Sequence, residues 1–388
     1  PRKYIPIEDK VRQRYYTATF SVDKNGLKIK PSLRDGERIN LLLTRIMTPS
    51  KGESDFSKFE VPFLCIASDL ETCQPYEITK GDLAHAIRAS MSIPFFFAPV
   101  EYDGRLCVDG GMCNNFPVKN VLAKGDYFII GIDVQKDFYK KDQLDNSMAM
   151  ADQMLTMLGM ELNEENKKYI DLYISPNVKD MSIMDFTSFD SIISAGERAA
   201  REKMPELKRI YDSLYPTHPQ IKERPHVMPL DSVYITKLCI DTVGDKSFKI
   251  IQRLFKRDLP AMMAIDEIED IMLRIYATGY YHDVWYELRP YETGYSLNIH
   301  YKLVSNASVS LSAHYDTDYG IGILLNFSMR NLLGVQRRTL FETDLNIAEN
   351  PFANVRYSFS PLNKLRIGAE FNAFYLAFDH YNNSTIMN

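Results

Sequence analysis

The 388-residue chain lacks several features that would assign it to a simple class. No run approaches the ~20 consecutive apolar residues that a membrane-crossing helix needs. Net charge is -5 and there is no basic stripe, so no nucleic-acid partner is expected. The five cysteines show neither CxxC nor metal-ligand spacing, so no metal site is predicted. Cys107 and Cys113 lie in apolar context and are interpreted as small buried side chains, with a disulfide as the alternative.

The composition is that of a folded chain with more than one domain. Hydrophobic residues make up 45% and aromatic residues 12%, and the length predicts two or three domains. A proline-rich stretch with few apolar side chains is the clearest boundary, and it contains Pro216, Pro219, Pro225 and Pro229. The predicted division is a domain at 1–214, a linker at 215–230, a second domain at 231–304 and a third region at 305–388.

An apolar segment ends in Asp109 and is followed by Gly110 and Gly111. Because both glycines lack a Cβ atom, the backbone or a substrate can come unusually close at this turn. A carboxylate placed there can act as a general base. The alternative is a Gly-Gly hairpin that carries a solvated aspartate.

The elements around this turn have a recognisable order. A predicted buried strand at 63–70 ends in Asp69, and a helix opens at Asp82 as N-cap and is stopped by Pro94. A further apolar strand is predicted at 127–134. With the strings ASMSIP and DGG as the most specific pieces, this order resembles the patatin-like phospholipases, a family of lipid acyl hydrolases. The resemblance runs from about Pro1 to Leu214.

The resemblance implies a Ser-Asp dyad without histidine. Asp109 would take the proton of the serine and later activate water on the acyl-enzyme. Gly110 and Gly111 would keep the turn tight, and Ser90 and Pro94 would shape the wall beside it as structural support. The implied partner is a phospholipid or another lipid ester, with no cofactor and no metal. Asp69 is expected to cap a turn or to form hydrogen bonds.

The sequence departs from the family pattern in two places. No Gly-x-Ser-x-Gly occurs, and the nearest string, at Ser54, lacks the second glycine and lies where a loop is expected, so Ser54 is not the expected nucleophile. The chain is therefore expected to be a fragment that lacks the first part of the hydrolase and is inactive as it stands. Family members usually carry glycine where this chain has Cys73, and a turn that needs positive φ would disfavour cysteine.

The region 231–304 predicts a small α+β domain. A strand at 233–240, helices at 247–255 and 265–277, and strands at 282–288 and 295–303 follow one another. This order, with the helix-to-strand corner at 273–284, resembles a POTRA domain, the periplasmic module of outer-membrane assembly factors. The alternative is an unrelated α+β domain.

From Ala307 onward, polar and apolar residues alternate with a period of two. Segments of about ten residues with this pattern are typical of transmembrane barrel strands, and Asn331 to Gly334 resembles the surface-antigen barrel family. A soluble β-sandwich is the alternative. About five strands are predicted, fewer than the ~8 that close a barrel, so the C-terminus is expected to be truncated as well.

The predicted fold is therefore multidomain: an α/β patatin-like hydrolase without its first part, an α+β POTRA domain, and the start of an antiparallel transmembrane β-barrel. This layout resembles the patatin-like autotransporters of type V secretion, subclass d. It implies the outer membrane of a Gram-negative bacterium, with the hydrolase periplasmic or surface-exposed. The predicted function is phospholipase A or lysophospholipase activity.

Two other functions stay open. One is an outer-membrane assembly or translocation protein with an inactive patatin-like passenger. Its POTRA domain would recruit clients by β-augmentation, with the assembly machinery as a further partner. The other is a soluble binding protein with a β-sandwich tail.

Overall fold

A computed structural model gives the fold of the chain. The described residues are 18–23, 26–29, 32–34, 36–50, 52–135, 138–145, 147–157, 160–178, 189–216, 228–241, 248–305, 307–316, 320–330, 339–348, 351–362, 365–375, 380–382 and 385–387. Pro219, Pro225 and the stretch 331–334 lie outside them. The chain divides into two compact units, one of Pro1–Gly52 with Leu230–Asn388 and one of Glu53–Pro229. Residues up to Gly52 thus group with the C-terminal unit, whereas the sequence prediction placed them in the first domain.

The helices and strands are numbered here in chain order. The N-terminal segment contributes β1 (Ala18–Asp23), β2 (Gly26–Ile29), β3 (Ser32–Arg34) and α1 (Glu37–Ile46). The unit Glu53–Pro229 contains β4 (Cys65–Asp69), β5 (Gln74–Ile78), α2 (Leu83–Ser90), β6 (Phe95–Phe97), β7 (Val100–Tyr102), β8 (Arg105–Asp109), α3 (Gly111–Asn114), α4 (Val118–Leu122), β9 (Ile130–Ile132), α5 (Ser147–Met157), α6 (Met160–Lys167), β10 (Leu172–Ile174), α7 (Phe189–Glu202) and α8 (Met204–Leu214). The C-terminal segment contains β11 (Ser232–Ile240), α9 (Phe248–Leu254), β12 (Ala261–Ala264), α10 (Ile265–Tyr276), β13 (Tyr281–Tyr291), β14 (Gly294–Leu303), β15 (Ala307–Asp316), β16 (Gly320–Arg330), β17 (Leu340–Ile347), β18 (Phe352–Leu362), β19 (Leu365–Phe374), β20 (His380–Asn382) and β21 (Thr385–Met387).

The unit Glu53–Pro229 is built on a four-stranded antiparallel sheet with the order β5-β4-β8-β7. Helix α2 begins at the predicted N-cap, where the Asp82 side chain accepts a hydrogen bond from the backbone N–H of His85 at 2.7 Å. Its Ala86 and Ala89 are buried beside Ala67 of β4, because small side chains allow the helix to approach the sheet closely. A separate parallel pair joins β9 to β10.

One predicted helix of this unit is interrupted in the structure. The long helix expected at 191–214 is two helices, α7 and α8, which meet at Lys203 ahead of Pro205. A proline is tolerated in the first turn of a helix but not in its interior, which places a new start there. Within the described residues, no helix combines the length and the apolar character needed to cross a membrane.

The C-terminal unit contains a four-stranded sheet of order β12-β11-β14-β13, in which β11 and β14 run parallel. Helices α9 and α10 contribute to its core with residues such as Ile251, Ile268 and Ile275. The sequence prediction missed β12, because its four residues lead directly into α10 and show no strand periodicity. Helix α1 packs on this module as well: Leu41 joins the core and Asn40 Nδ2 donates to Asp283 Oδ1 at 3.1 Å.

A seven-stranded sheet of order β19-β18-β17-β16-β15-β1-β2 forms the rest of this unit. Its two faces are inverted relative to a soluble sheet. Along one face polar residues are buried, with Asn326 and Glu342 both 3% exposed. On the other face apolar residues are exposed, with Ile321 at 74% and Phe371 at 69%.

The polar face continues from strand to strand. Asn326 Nδ2 donates to Asp344 Oδ1 at 2.7 Å, and the hydroxyls of Ser308 and Ser328 are 2.7 Å apart. The row extends into the N-terminal segment, because Thr19 of β1 pairs with Ser310 of β15 and their hydroxyls are 3.0 Å apart. Among the described strands, β2 and β19 lie at opposite ends of the order and do not pair with each other.

Candidate active site

Asp109 is the last residue of β8 and lies opposite Ala67 of β4. Its backbone N–H donates to the carbonyl of Ser92 at 3.0 Å, and that of Gly110 donates to the carbonyl of Ser90 at 3.1 Å. The backbone N–H of Gly111 donates to Asp109 Oδ1 at 2.7 Å. The turn is therefore fixed on one side by the end of α2 and holds the carboxylate by one of its own amides.

The glycine at 110 is required by space and not by backbone conformation. Its φ of -62° is open to any residue. A Cβ atom added there would lie 2.1 Å from the backbone oxygen of Ile66. At Gly111 the nearest atoms would be side-chain oxygens, that of Asn115 at 2.8 Å and that of Asp109 at 2.9 Å. Gly110 thus lets β4 pass directly over the turn, and Gly111 leaves room for the carboxylate.

The environment of Asp109 favours a basic carboxylate. The side chain is half-buried, and burial raises its pKa above the usual range, while the hydrogen bond from Gly111 opposes part of that rise. A carboxylate with a raised pKa accepts a proton more readily near neutral pH. The turn leads into helix α3 and its carboxylate is half-buried, in contrast to the Gly-Gly hairpin with a solvated aspartate of the alternative interpretation.

Asp69 on the neighbouring strand has the opposite character. Hydrogen bonds from the backbone of Glu71 and then from Arg105 hold its pKa below the usual range. The Glu71 N–H donates to Asp69 Oδ1 at 2.9 Å, and Arg105 Nη1 donates to Oδ2 at 2.7 Å. The predicted turn-capping role of Asp69 is confirmed, because both of its carboxylate oxygens accept hydrogen bonds from neighbouring residues.

The support residues Ser90 and Pro94 occupy different positions. Ser90 is the last residue of α2, and its hydroxyl donates to the carbonyl of Ile66 at 2.6 Å while its own carbonyl receives the Gly110 N–H. Pro94 lies beyond the helix end, just before β6. Ser90 thus contacts both Gly110 and the strand that crosses it.

Sequence reasoning missed a buried pair in the same segment. Arg88 and Ser92 are both buried, and Arg88 Nη1 donates to Ser92 Oγ at 2.5 Å. The guanidinium of Arg88 also lies over the ring of Phe97. Since the Ser92 carbonyl accepts the Asp109 N–H, this pair anchors the segment that holds the Asp109 turn. The i,i+4 spacing of the two residues across a helix end is the only signal that the sequence offers.

A chain of amide side chains lies on the other side of the turn. Asn114, the last residue of α3, donates to Asn120 at 2.9 Å, and Asn120 donates to Glu77 at 2.7 Å. Asn166 of α6 donates to Asn114 Oδ1 at 3.5 Å. These contacts fix the short helix that follows Asp109.

Two further sequence expectations can be placed. Ser54 lies before the short 3-10 turn Phe56–Lys58, and its carbonyl accepts the N–H of Gly81 at 2.7 Å. Cys73 adopts a positive φ of +55°, a backbone conformation that disfavours cysteine. Among the described residues, no group of three or more His, Cys, Asp or Glu side chains is arranged to hold a metal ion.

Comparison with known proteins agrees with the strand–helix–turn order of this site. Residues 2–122 match the patatin-like phospholipase family. An uncharacterized NTE family protein of Mycobacterium bovis is 25% identical over 174 residues, which is 38% of this chain and 30% of that protein. The lysophospholipase NTE1 of Debaryomyces hansenii is 24% identical over 170 residues, 37% of this chain and 11% of that protein. The chain spans less than a third of the length of either relative.

One solved structure is similar in part. BamA from Haemophilus ducreyi lacking POTRA domains 1-3 aligns with a TM-score of 0.29 and 16% identity, over 39% of this chain and 29% of that chain. An alignment this weak carries no argument about fold or function.

Proposed function

We propose that this chain is part of a lipid acyl ester hydrolase of the phospholipase A or lysophospholipase type. The half-buried Asp109 carries the proposal, because it lies at a strand end with a raised pKa on a turn that only glycine at 110 permits. Its partner would be a serine in a Gly-x-Ser-x-Gly turn outside the 388 residues, since that string does not occur within them.

In the proposed reaction the Asp109 carboxylate accepts the serine proton as the serine oxygen attacks the ester carbonyl. The proton then passes to the leaving alcohol, which leaves an acyl-enzyme. Asp109 next takes a proton from water as the water oxygen attacks the acyl carbonyl, and it returns that proton to the serine oxygen as the fatty acid leaves. Backbone N–H groups near the serine would stabilise the oxyanion by a few kcal/mol per donor.

The test uses the native protein purified from membranes of its own cell, so that any chain outside residues 1–388 is present. Asp109→Asn should lower the hydrolysis of lysophosphatidylcholine by at least a hundredfold, because general-base catalysis contributes about 10²–10⁴ in rate. A fluorophosphonate probe should label one serine outside the 388 residues. Asp103→Asn is the matched control, since Asp103 lies on an adjacent turn at φ +49°, a conformation that asparagine tolerates. Unchanged hydrolysis by Asp109→Asn would refute the dyad.

We further propose that the seven-stranded sheet lies in an outer membrane, where its exposed face contacts lipid hydrocarbon. The inverted burial supports this, because a soluble β-sandwich buries its apolar face and exposes its polar one. The preceding α+β module, with β11 parallel to β14, would then be the POTRA domain. The same observations support the second candidate function, an assembly or translocation protein with an inactive passenger.

Placing a charge on each face of the sheet in turn tests whether the sheet lies in a membrane or in solution. Ile323→Arg on the apolar face should reduce insertion of the full chain into phosphatidylcholine vesicles, since arginine near the bilayer centre costs about 2–4 kcal/mol. Asn372→Arg on the polar face should insert normally. Equal insertion by both variants, or a wild-type chain that stays in solution without detergent, would contradict a membrane location. Insertion without probe labelling of any serine would favour the assembly function.

A further inference from the structure

Two thiols lie next to each other beside the Asp109 turn. Cys73 ends the turn between β4 and β5 and is exposed, and Cys113 lies in α3, four residues after Asp109. The sulfur of Cys113 is 3.6 Å from the backbone oxygen of Cys73. Cys113 is only partly buried, in contrast to the buried side chain that its sequence context predicted.

The separation is within reach of a covalent bond. Because a carbonyl oxygen lies about 2.4 Å from the Cα of its own residue, the Cys113 sulfur lies within about 6 Å of the Cys73 Cα. A disulfide also needs the two Cβ atoms about 3.5–4.5 Å apart. Forming one here would require the exposed Cys73 side chain, whose sulfur now lies 3.9 Å from the Leu70 carbonyl oxygen, to turn toward Cys113.

The backbone at Cys73 is itself unusual. Its φ of +55° is the left-handed conformation that glycine adopts freely and cysteine does not. Its N–H closes the turn by donating to the carbonyl of Asp69 at 2.8 Å. A side chain kept in a strained turn points to a use for that side chain.

We propose that Cys73 and Cys113 form a reversible disulfide that ties the β4–β5 turn to the helix following Asp109. A small disulfide such as oxidised glutathione is the oxidant. The Cys73 thiolate attacks one of its sulfurs, which forms a mixed disulfide and releases one glutathione. The Cys113 thiolate then attacks the Cys73 sulfur, and the second glutathione leaves. The two cysteine protons pass to the two glutathione thiols.

The other cysteines of this unit are poor competitors. Cys107 is fully buried, and burial raises the pKa of its thiol. Burial also raises the pKa of Cys65 to about 12. Thiolates are the reactive form, so exchange at these two positions is slow.

The test equilibrates the full chain with oxidised glutathione, alkylates free thiols and maps the peptides by mass spectrometry. A linked peptide pair containing Cys73 and Cys113 is expected, and reductant should remove it. Cys113→Ser should instead leave Cys73 as a glutathione adduct, and Cys239→Ser, in the other unit, should leave the link intact. Alkylation of both cysteines in the oxidised wild type, or a link from either one to Cys107, would overturn the proposal. None of these outcomes depends on hydrolysis.

Stability gives a second measurement. The bond would close a loop of about 40 residues, which raises the melting temperature of a unit of this size by roughly 10 °C. Cys73→Gly should melt above the reduced wild type, because glycine suits the positive φ, but below the oxidised wild type. Equal melting temperatures of the oxidised and reduced wild type would contradict the proposed disulfide.

Discussion

Replacing Gly110 by alanine tests the geometry of the Asp109 turn most directly. The added Cβ would lie 2.1 Å from the Ile66 oxygen, well inside the 3.0 Å that real Cβ contacts essentially never cross. The obstacle is backbone, so the turn must move away from β4. Such overpacking costs about 3 kcal/mol, and it pulls on the hydrogen bonds that Asp109 and Gly110 donate to Ser92 and Ser90.

Hydrogen exchange of the full chain in detergent, followed by mass spectrometry, measures this cost locally. A loss of about 3 kcal/mol raises exchange of peptides covering 105–114 roughly a hundredfold. Gly196→Ala is the matched control in the same unit, because nothing lies within 4 Å of its added Cβ. It sits inside α7, where alanine is favoured over glycine by up to about 1 kcal/mol. Equal protection of the 105–114 peptides in Gly110→Ala and wild type would refute the close approach of β4.

Two further predictions concern charge. Asp109→Asn should stabilise the chain at pH 7, because the raised pKa of Asp109 means that its ionised form disfavours folding. Urea midpoints should show this gain at pH 7 and its loss in acid. A gain of equal size at both pH values would contradict it. At His300, burial lowers the pKa, but Glu287 and Asp241 outweigh burial and raise it above its usual range. The resulting stability is complete below about pH 6.5 and is lost as pH rises through the raised pKa. His300→Gln should therefore flatten the decline in melting temperature between pH 6 and 9. An unchanged decline would mean that other titrating groups cause it.

Much of the fold follows from periodicity alone. The alternation of polar and apolar residues along β15, β17, β18 and β19 predicted those strands to within a few residues. Successive side chains of a strand point to opposite faces of the sheet, which gives a period of two. Helix α10 was equally clear from apolar residues at helical spacing. Strand β12 shows neither pattern, since four residues are too few for a period to be visible.

Only the residues of the candidate site that are adjacent in the sequence could be predicted. Asp109 and its two glycines form a continuous string, whereas the contacts that fix them come from Ile66, Ser90 and Ser92 on other elements. The placement of α1 could not be predicted either. The patatin-like resemblance compares consecutive residues and therefore groups α1 with the elements that follow it in the chain. In the structure Asn40 of α1 instead forms a hydrogen bond to Asp283, which is far away in the sequence.

That contact has a consequence for synthesis. The unit Glu53–Pro229 is one continuous stretch of the chain, whereas the other unit is interrupted by it. Leu41 of α1 has no core to enter until α10 and β13 have been made, and β1 must wait for β15, which pairs Ala18 with Leu311. Residues 18–46 are therefore made before the elements against which they pack. Contacts this distant in sequence fold slowly and leave apolar surface open to aggregation, so a holding chaperone should bind residues 18–46 of the nascent chain.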